Sequence, residues 1–329
     1  MREVCQSASL VLHSSSVKAQ IRKAINNLYD AYDEVGGKHY TLRIKGKKLP
    51  LEDFEYNPLA VGDYVEFTPY SETEGLITAR LERKSAFVRW NVKLEKNQTI
   101  AANMDQVAII TSAFEPPFRP RFLDRALSCV QSCDVIIVMN KCDFDLTEEE
   151  FERWALYHKL GYRIIAVSAA TGENIEEFKD LLRGRTTAFV GQSGVGKSSL
   201  VNLIIRPEKK QVTGEISQKY QRGRHTTNHA LYLERDDIRI IDTPGVRELL
   251  VPYEDKSVLA DSFIEFSRYA GECEYSSCTH STEPGCAVIR ALEEGLIDPD
   301  RYTSYLGLLD SLESRKPGYL RTKFRKNKQ

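Results

Sequence analysis

One stretch of the chain has the residue types and spacing of a loop that binds phosphate groups. A buried-strand pattern leads directly into it and a helical pattern follows, a context that disfavours the alternative of a flexible glycine loop. The loop and the start of the helix are Gly191, Gln192, Ser193, Gly194, Val195, Gly196, Lys197, Ser198 and Ser199. Glycines let backbone N–H groups surround a phosphate, and the helix N-terminus adds partial positive charge. We expect Lys197 to bridge the β- and γ-phosphates and Ser198 to bind Mg²⁺.

A second motif, Asp242-Thr243-Pro244-Gly245, follows another strand pattern. We expect Asp242, at the carboxyl end of that strand, to hold the Mg²⁺ shell, and the Gly245 N–H to meet the γ-phosphate. Between the two motifs lies a polar segment, residues 223–228. One of its threonines, Thr226 or Thr227, is expected to complete the Mg²⁺ ligation and to order the segment as a switch.

A third motif, Asn140-Lys141-Cys142-Asp143, ends the strand pattern that precedes it and has the chemistry to recognise guanine. The carboxylate of Asp143 can accept hydrogen bonds from the ring N–H and the exocyclic amine of guanine. Asn140 can join neighbouring loops, and the aliphatic stem of Lys141 can cover the base. After the next strand, Ser168 and Ala169 occupy the position from which a backbone N–H reaches the guanine carbonyl. The sequence therefore predicts GTP as the nucleotide.

The order of these motifs is unusual. The guanine motif ends at residue 143, the phosphate loop begins at residue 191, and no second guanine motif follows Gly245. In ordinary GTPases the guanine motif comes after the phosphate loop. Contacts rather than chain order define an α/β core, so a permuted sheet remains viable. The sequence predicts a circularly permuted α/β GTPase domain.

A fourth cluster has the residue types of a metal site. Four potential ligands lie within fourteen residues, and they are Cys273, Cys278, His280 and Cys286. Three thiolates and an imidazole match a closed, tetrahedral, structural Zn²⁺ site. The alternative is a set of buried thiols with a surface histidine. The other four of the seven cysteines, Cys5, Cys129, Cys133 and Cys142, are ungrouped and are expected to be core or incidental residues. With no export signal, a disulfide framework is not expected.

The elements around these motifs suggest several domains. The 329 residues, 41% of them hydrophobic, suit two or three domains. Apolar residues three or four apart over residues 16–32 predict an amphipathic helix. Short alternating runs over residues 38–96 predict a small β-barrel, strands alternating with helices from residue 105 predict an α/β sheet, and the chain after residue 251 reads as helical. No apolar run is long enough to cross a bilayer, so we expect a cytoplasmic protein.

The charge distribution points to a polyanionic partner. The net charge is −1, but residues 38–48 contain five Lys or Arg, and residues 315–329 contain seven, with no acid in either run. These runs either bind nucleic acid or form a solvated surface. Single-stranded nucleic acid would stack on aromatic side chains of the β region, of which only two or three are expected at the surface. The candidates are Tyr40, Phe54, Tyr56, Tyr64, Phe67, Phe87 and Trp90, beside Lys45, Lys47, Lys48, Arg83 and Arg89.

Taken in order, the motifs and the cysteine cluster resemble the ribosome small-subunit-dependent GTPase A family. The resemblance covers the chain from about residue 38 and implies an OB-fold barrel over residues 38–98, a permuted G domain over 99–252 and a zinc-binding helical domain with a basic tail over 253–329. Residues 1–37 depart from the family's usual start and are predicted to form a helical extension. It also implies a protein that acts in late maturation of the small ribosomal subunit. The expected partners are GTP or GDP and the small subunit with its rRNA, and we expect a monomer.

The resemblance also bears on catalysis. Many GTPases orient the attacking water with a Gln after the motif that ends at Gly245, where this chain has Val246. The resemblance marks His225 as the residue that positions the water and favours Thr227 as the Mg²⁺ ligand, while His225 could instead be a solvent-exposed loop histidine. Lys197 and Gly245 complete the expected catalytic set.

The sequence thus predicts a Mg²⁺-dependent GTP hydrolase that acts as a ribosome-assembly factor. Two alternatives remain at this stage. One is a GTPase that delivers metal to an enzyme, with the cysteine cluster as the cargo site. The other is a nucleotide-gated RNA-binding module in which hydrolysis is incidental.

Overall fold

The secondary structure alternates between sheet-rich and helix-rich parts. The computed structural model describes residues 16–46, 49, 55–205, 229–246, 249–252 and 256–315. In these ranges the strands are β1 Val17–Ile25, β2 Leu28–Asp33, β3 Lys38–Ile44, β4 Tyr64–Pro69, β5 Glu74–Arg80, β6 Ala86–Asn91, β7 Lys96–Ala102, β8 Gln106–Ser112, β9 Val130–Gln131, β10 Asp134–Asn140, β11 Arg163–Val167, β12 Thr186–Gly191, β13 Leu231–Arg235 and β14 Ile238–Asp242. The helices are α1 Pro120–Leu127, α2 Glu148–Lys159, α3 Ile175–Leu182, α4 Lys197–Ile205, α5 Lys256–Asp261, α6 Ala287–Glu293 and α7 Pro299–Glu313. None of the helices in these ranges combines the length and the apolar character needed to span a membrane.

The first five strands close into a small barrel. β1 pairs with both β2 and β4, β2 pairs with β3, and β3 pairs in parallel with β5, which returns to β4. Alternating apolar side chains fill the interior, and Ile21, Leu42, Val65 and Phe67 are fully buried there. A closed five-stranded barrel of this kind is the predicted OB-fold.

The prediction of an amphipathic helix over residues 16–32 is wrong, because this segment forms strands β1 and β2 of the barrel. Ile25 and Leu28 pair across a two-residue turn in which Asn26 has a φ of +55°, a conformation that Asn adopts readily. The register of the pairing shifts just after Ile21. This irregularity breaks the two-residue alternation, so the apolar residues fall at spacings that imitate a helical repeat. The domain boundaries stay predictions.

A six-stranded α/β sheet follows the barrel, in the order β11-β10-β8-β12-β14-β13. The pairings from β11 to β14 are parallel, and β13 is antiparallel to β14. Helices α1 and α2 cover one face, and α3 and α4 cover the other. The strand that leads into the phosphate loop, β12, lies at the centre of the sheet although it comes late in the chain. This arrangement confirms the predicted permutation.

The barrel and the α/β sheet are continuous through hydrogen bonding. Strand β1 pairs with β13, with Lys23 opposite Leu231. Beside this pairing the Arg22 guanidinium lies 3.6 Å from the centre of the Tyr232 ring and forms an ion pair with Glu234. The barrel thus pairs with the edge strand of the α/β sheet at this position, which shortens the unpaired edge.

Strands β6, β7 and β9 form a separate three-stranded sheet that packs on the α/β domain. Phe87 is fully buried in the core beside α1. Trp90 is 5% exposed, and its backbone N–H donates to the carbonyl of Leu250, which lies outside the barrel. The prediction that Phe87 and Trp90 belong to the barrel is therefore wrong. Alternation of apolar residues identifies strands but does not assign them to a sheet.

The C-terminal helices pack around their own apolar core, which includes Phe263, Phe266 and Tyr305. A buried charge cluster joins this core to the α/β domain. The Arg301 guanidinium of α7 donates two hydrogen bonds to Glu265, at 2.8 and 3.0 Å, and one to Asp124 of α1, at 2.5 Å. Arg301 is 1% exposed and Asp124 is fully buried. Tyr157 of α2 also donates to Asp124, at 2.7 Å.

Removing Arg301 leaves two carboxylates buried without their cationic partner. We expect Arg301→Met to lower the free energy of unfolding by about 3–5 kcal/mol, the usual cost of breaking a buried ion pair from one side. Urea unfolding monitored by circular dichroism measures this change.

Two further variants serve as controls for that measurement. Arg183→Ala removes a surface arginine that pairs with Asp180 and Asp237 and should leave the unfolding curve almost unchanged. Arg301→Met/Glu265→Met leaves less uncompensated charge and should unfold less readily than Arg301→Met. A wild-type unfolding curve for Arg301→Met would contradict the proposed contribution of this cluster.

Candidate nucleotide and metal sites

The three nucleotide motifs meet at one edge of the α/β sheet. In the parallel pairings, Asn140 lies opposite Ser112 and Val167, and Gly191 lies opposite Ile110. Asp242 ends β14, next to β12. Because the carboxyl ends of parallel strands converge, residues far apart in the chain line one crevice.

The buried side chain of Asn140 connects the predicted phosphate loop with the predicted guanine pocket. Its Nδ2 donates to the carbonyl of Val195 at 2.8 Å, and its Oδ1 accepts from the N–H of Ala169 at 3.1 Å. Gly196 has a φ of +91°, and a Cβ there would collide with the Asn140 amide nitrogen. A glycine is therefore required at this position for two independent reasons.

The phosphate loop curls around the buried Lys197. The Lys197 ammonium donates to the carbonyl of Gly191 at 3.1 Å, with a longer contact of 3.5 Å to the carbonyl of Gln192. Ser193 and Gly194 are exposed on the loop, as are Ser198 and Ser199 in the first turn of α4. The loop thus presents its backbone and the helix N-terminus to the crevice.

Lys197 and Asp242 form a buried pair of opposite charges. Burial lowers the pKa of the Lys197 ammonium to about 8, an effect that the Asp242 charge opposes. Burial raises the pKa of the Asp242 carboxyl to about 6, and the Lys197 charge partly offsets this increase. For each group, the effect of burial exceeds the attraction of the opposite charge. A phosphate near Lys197 and a divalent cation near Asp242 would stabilise the two charged forms further. The donor set fits a Mg²⁺-nucleotide.

The residues after Asp242 pack against the phosphate loop. A Cβ on Gly245 would lie 3.2 Å from both the Lys197 ammonium and the Ser193 Cα, so this position has little room for a side chain. Thr243 donates to the carbonyl of Phe189 at 2.7 Å. Val246 donates its N–H to Gly191 at 3.2 Å, and its side chain, 6% exposed, lies in the core.

The side chain of Ser168 orients the Asp143 carboxylate. The Ser168 hydroxyl donates to Asp143 Oδ1 at 2.6 Å and accepts from the N–H groups of Ala170 and Thr171. Ser168 was predicted as a nucleotide contact, but its hydroxyl positions the carboxylate that is expected to recognise guanine. Asp143 itself is exposed to the crevice.

A loop that no motif predicted completes this edge of the site. We call residues 112–118 the clamp loop. The Lys141 ammonium donates to three carbonyl oxygens, those of Phe114 at 3.0 Å and Glu115 at 2.6 Å in the clamp loop and that of Gly194 at 3.0 Å in the phosphate loop. Backbone carbonyls carry no residue signature. The one feature of the sequence that could have indicated the clamp loop is its position directly after a strand of the same sheet.

Several predicted residues cannot be placed. His225, Thr226 and Thr227 lie outside the described residues, as do Lys47, Lys48 and Phe54. Their assignments stay predictions.

The predicted zinc ligands converge in the C-terminal domain. The ligand atoms of Cys273, Cys278, His280 and Cys286 all lie within 4.8 Å of one another, and within the described ranges no other group of three or more Cys, His, Asp or Glu side chains does so. Nδ1 of His280 lies 3.6 Å from the Cys273 sulfur and 3.4 Å from the Cys286 sulfur, and the two sulfurs are 4.0 Å apart. A tetrahedral zinc ion would separate such ligands by about 3.5–3.8 Å. The four residues therefore fit a zinc ion.

Helix α7 supports the loop that carries these ligands. The Tyr302 hydroxyl donates to the carbonyl of His280 at 2.8 Å, and the Tyr305 hydroxyl donates to that of Thr279 at 2.5 Å. Glu283 accepts from the N–H groups of Thr279 and Ser281, at 2.7 and 3.0 Å. Such supporting contacts orient metal ligands.

Known proteins resemble this chain over most of its length. A family model described as RsgA GTPase matches residues 80–252, more than half of the chain. A protein of Chlorobaculum parvum named small ribosomal subunit biogenesis GTPase RsgA is 46% identical over 272 residues, which cover 78% of this chain and 86% of the relative. A protein of the same name from Borreliella burgdorferi is 39% identical over 297 residues, covering 89% and 95%.

Solved structures show the same fold. YjeQ from Thermotoga maritima has a TM-score of 0.66 at 27% identity and covers 92% of this chain and 100% of its own. YloQ, described as a circularly permuted GTPase, has a TM-score of 0.65 at 26% identity, with coverages of 94% and 99%. From the matched family model and the identities over most of its length, the chain belongs to the RsgA GTPase family.

Proposed function

We propose that this GTPase binds the small ribosomal subunit, acts in its late maturation as a cytoplasmic monomer, and hydrolyses Mg²⁺-GTP faster when the subunit is bound. The observation that carries the proposal is the similarity to proteins named for small-subunit biogenesis. It extends over 89% of this chain and 95% of the relative, so it includes parts of all three domains. The Asn140 bridge between the guanine pocket and the phosphate loop supports a working nucleotide site in this chain.

The assignment of residues to steps is part of the proposal. Lys141 and Asp143 bind the base with the loop at Ser168 and Ala169, and residues 191–199 bind the phosphates. Ser198, Asp242 and Thr227 hold Mg²⁺, which supplies charge neutralisation at the phosphates when bound. Lys197 and the Gly245 N–H stabilise the γ-phosphate, and His225 orients the attacking water.

The barrel provides a surface suited to rRNA phosphates. Along β3, Leu42 points into the barrel, whereas the flanking Thr41 and Arg43 are exposed, as is Lys45 just after the strand. Exposed cations on one strand can contact a nucleic-acid backbone. The convergence of four zinc ligands supports a structural metal rather than one to be delivered, since delivery requires an exchangeable coordination position.

The proposed function is tested by the GTPase rate with and without small ribosomal subunits. We expect slow intrinsic hydrolysis, stimulated by roughly 10³-fold or more on the subunit, as partners do for other GTPases. His225→Ala should still bind GTP but lose most of the stimulation. Absence of stimulation in the wild type would refute the proposed function, and full stimulation of His225→Ala would refute only the assignment of His225.

Guanine selectivity provides a second prediction. Asp143→Asn places a donor where guanine also donates, so GTP affinity should fall by about ten- to a hundredfold while xanthosine triphosphate becomes the preferred ligand. Competition against a fluorescent nucleotide measures both affinities. Asp145→Asn, two residues further along, is the matched control and should behave as the wild type. Unchanged GTP affinity of Asp143→Asn would show that the base binds elsewhere.

Zinc content provides a third prediction. Cys278→Ser should lose stoichiometric zinc and melt at a lower temperature, because the binding energy of a structural zinc site contributes to folding. Metal analysis and calorimetry on the same samples measure the two effects. Cys133→Ser, outside the cluster, should keep the metal. A Cys278→Ser protein with full zinc content and wild-type melting would refute the assignment.

A further inference from the structure

Two exposed phenylalanine rings stack beside the predicted guanine pocket. The rings of Phe114 and Phe144 have centroids 4.4 Å apart and planes inclined by 10°. Phe114 is 44% exposed and Phe144 is 43% exposed. Parallel stacking of two large apolar rings at a surface brings separate backbone segments together.

One ring belongs to the clamp loop and the other to the turn that presents the guanine motif. Phe144 donates its N–H to the carbonyl of Lys141 at 3.1 Å, which closes a tight turn over residues 141–144. Lys141 itself has a φ of +62°, a conformation that a non-glycine residue adopts only when its surroundings enforce it. The position of the Phe144 ring is therefore tied to the backbone of Lys141 and Asp143.

The clamp loop, in turn, positions the Lys141 ammonium. Two of the three carbonyls that accept from this ammonium are those of Phe114 and Glu115, and the third, of Gly194, lies in the phosphate loop. Holding all three requires the clamp loop to stay against the phosphate loop, where Pro116 would lie 3.4 Å from a Cβ on Gly194. A loose clamp loop would release the lysine whose stem is expected to cover the base.

The backbone of the clamp loop is strained, so the loop needs contacts that hold it in place. Glu115, at its tip, has a φ of +37°, in a region where non-glycine residues are strained. Ala113 donates to the carbonyl of Asn140 at 3.1 Å, and the Ser112 hydroxyl donates to that of Pro116 at 2.6 Å. These bonds hold the base of the loop, and the Phe114–Phe144 stack joins its tip to the guanine motif.

We propose that Phe114 and Phe144 form a staple that keeps the Lys141 ammonium on the phosphate loop and thereby sets how long a guanine nucleotide stays bound. The inference rests on the proposed nucleotide site. Both residues act through Lys141 and are positioning residues. Loss of an aromatic pair corresponds to about a two- to tenfold effect on an equilibrium. The staple should therefore affect nucleotide release and leave the rate at saturating GTP unchanged.

The test measures release of a fluorescent GDP from the full-length protein by stopped flow. We expect Phe114→Ala and Phe144→Ala each to release GDP about three- to tenfold faster, and the double variant to be no faster than the faster single variant, since the rings share one contact. Phe144→Tyr should restore slow release, whereas Phe144→Leu, which keeps apolar bulk without a ring, should not. Phe151→Ala removes a 60% exposed phenylalanine of α2, outside both segments, and should match the wild type.

Steady-state kinetics distinguish loss of the Phe114–Phe144 staple from a general loss of structure. At saturating GTP the subunit-stimulated rate of Phe144→Ala should equal that of the wild type, while its KM for GTP rises. Unchanged release in both single variants, additive effects in the double variant, or full rescue by Phe144→Leu would each overturn the staple. If Asp143→Asn also releases GDP normally, the proposed nucleotide site itself is wrong. Fast release from Asp143→Asn with normal release from the Phe variants rejects the staple alone.

Discussion

The side-chain amide of Asn140 is the contact on which the proposed nucleotide site depends. It holds Val195 of the phosphate loop on one side and Ala169 of the guanine pocket on the other, from a buried strand end. Its approach leaves no space for a side chain on Gly196. One position of the phosphate loop is thus dictated by a residue that precedes it in the chain. A contact of this kind depends on neighbouring strand ends, so it is compatible with the permuted chain order.

The barrel and the C-terminal domain are both attached to strands or helices that position the proposed site. The barrel strand β1 pairs at Lys23 with Leu231, and Leu231 pairs in turn with Asp242 of β14. The C-terminal domain is held through Arg301 to Asp124 of α1, the helix that directly follows the clamp loop. Both attachments therefore involve a strand or helix next to residues that line the proposed nucleotide site. A large shift of either domain would disturb a strand or a helix that positions the site.

The sequence predicts those parts of the structure that depend on side-chain identity. The strand, loop and helix around Lys197 follow from their motif. The pattern of apolar residues in β1 resembled that of a helix because the register of the strand shifts after Ile21. A strand is recognised from the sequence by an unbroken two-residue alternation, which this shift interrupts. The clamp loop escaped prediction because it binds Lys141 through backbone carbonyls, which any residue could supply.

The position of Val246 limits where the attacking water can be oriented. Its N–H donates to Gly191, and it pairs as a β-bridge with Gln192, so its backbone is fixed against the phosphate loop. Its side chain then points into the apolar core rather than into the crevice. A hydrogen-bonding side chain at this position would have to be buried without a suitable partner, at a cost of about 1–3 kcal/mol. The task of orienting water therefore falls to a different segment or to a bound partner.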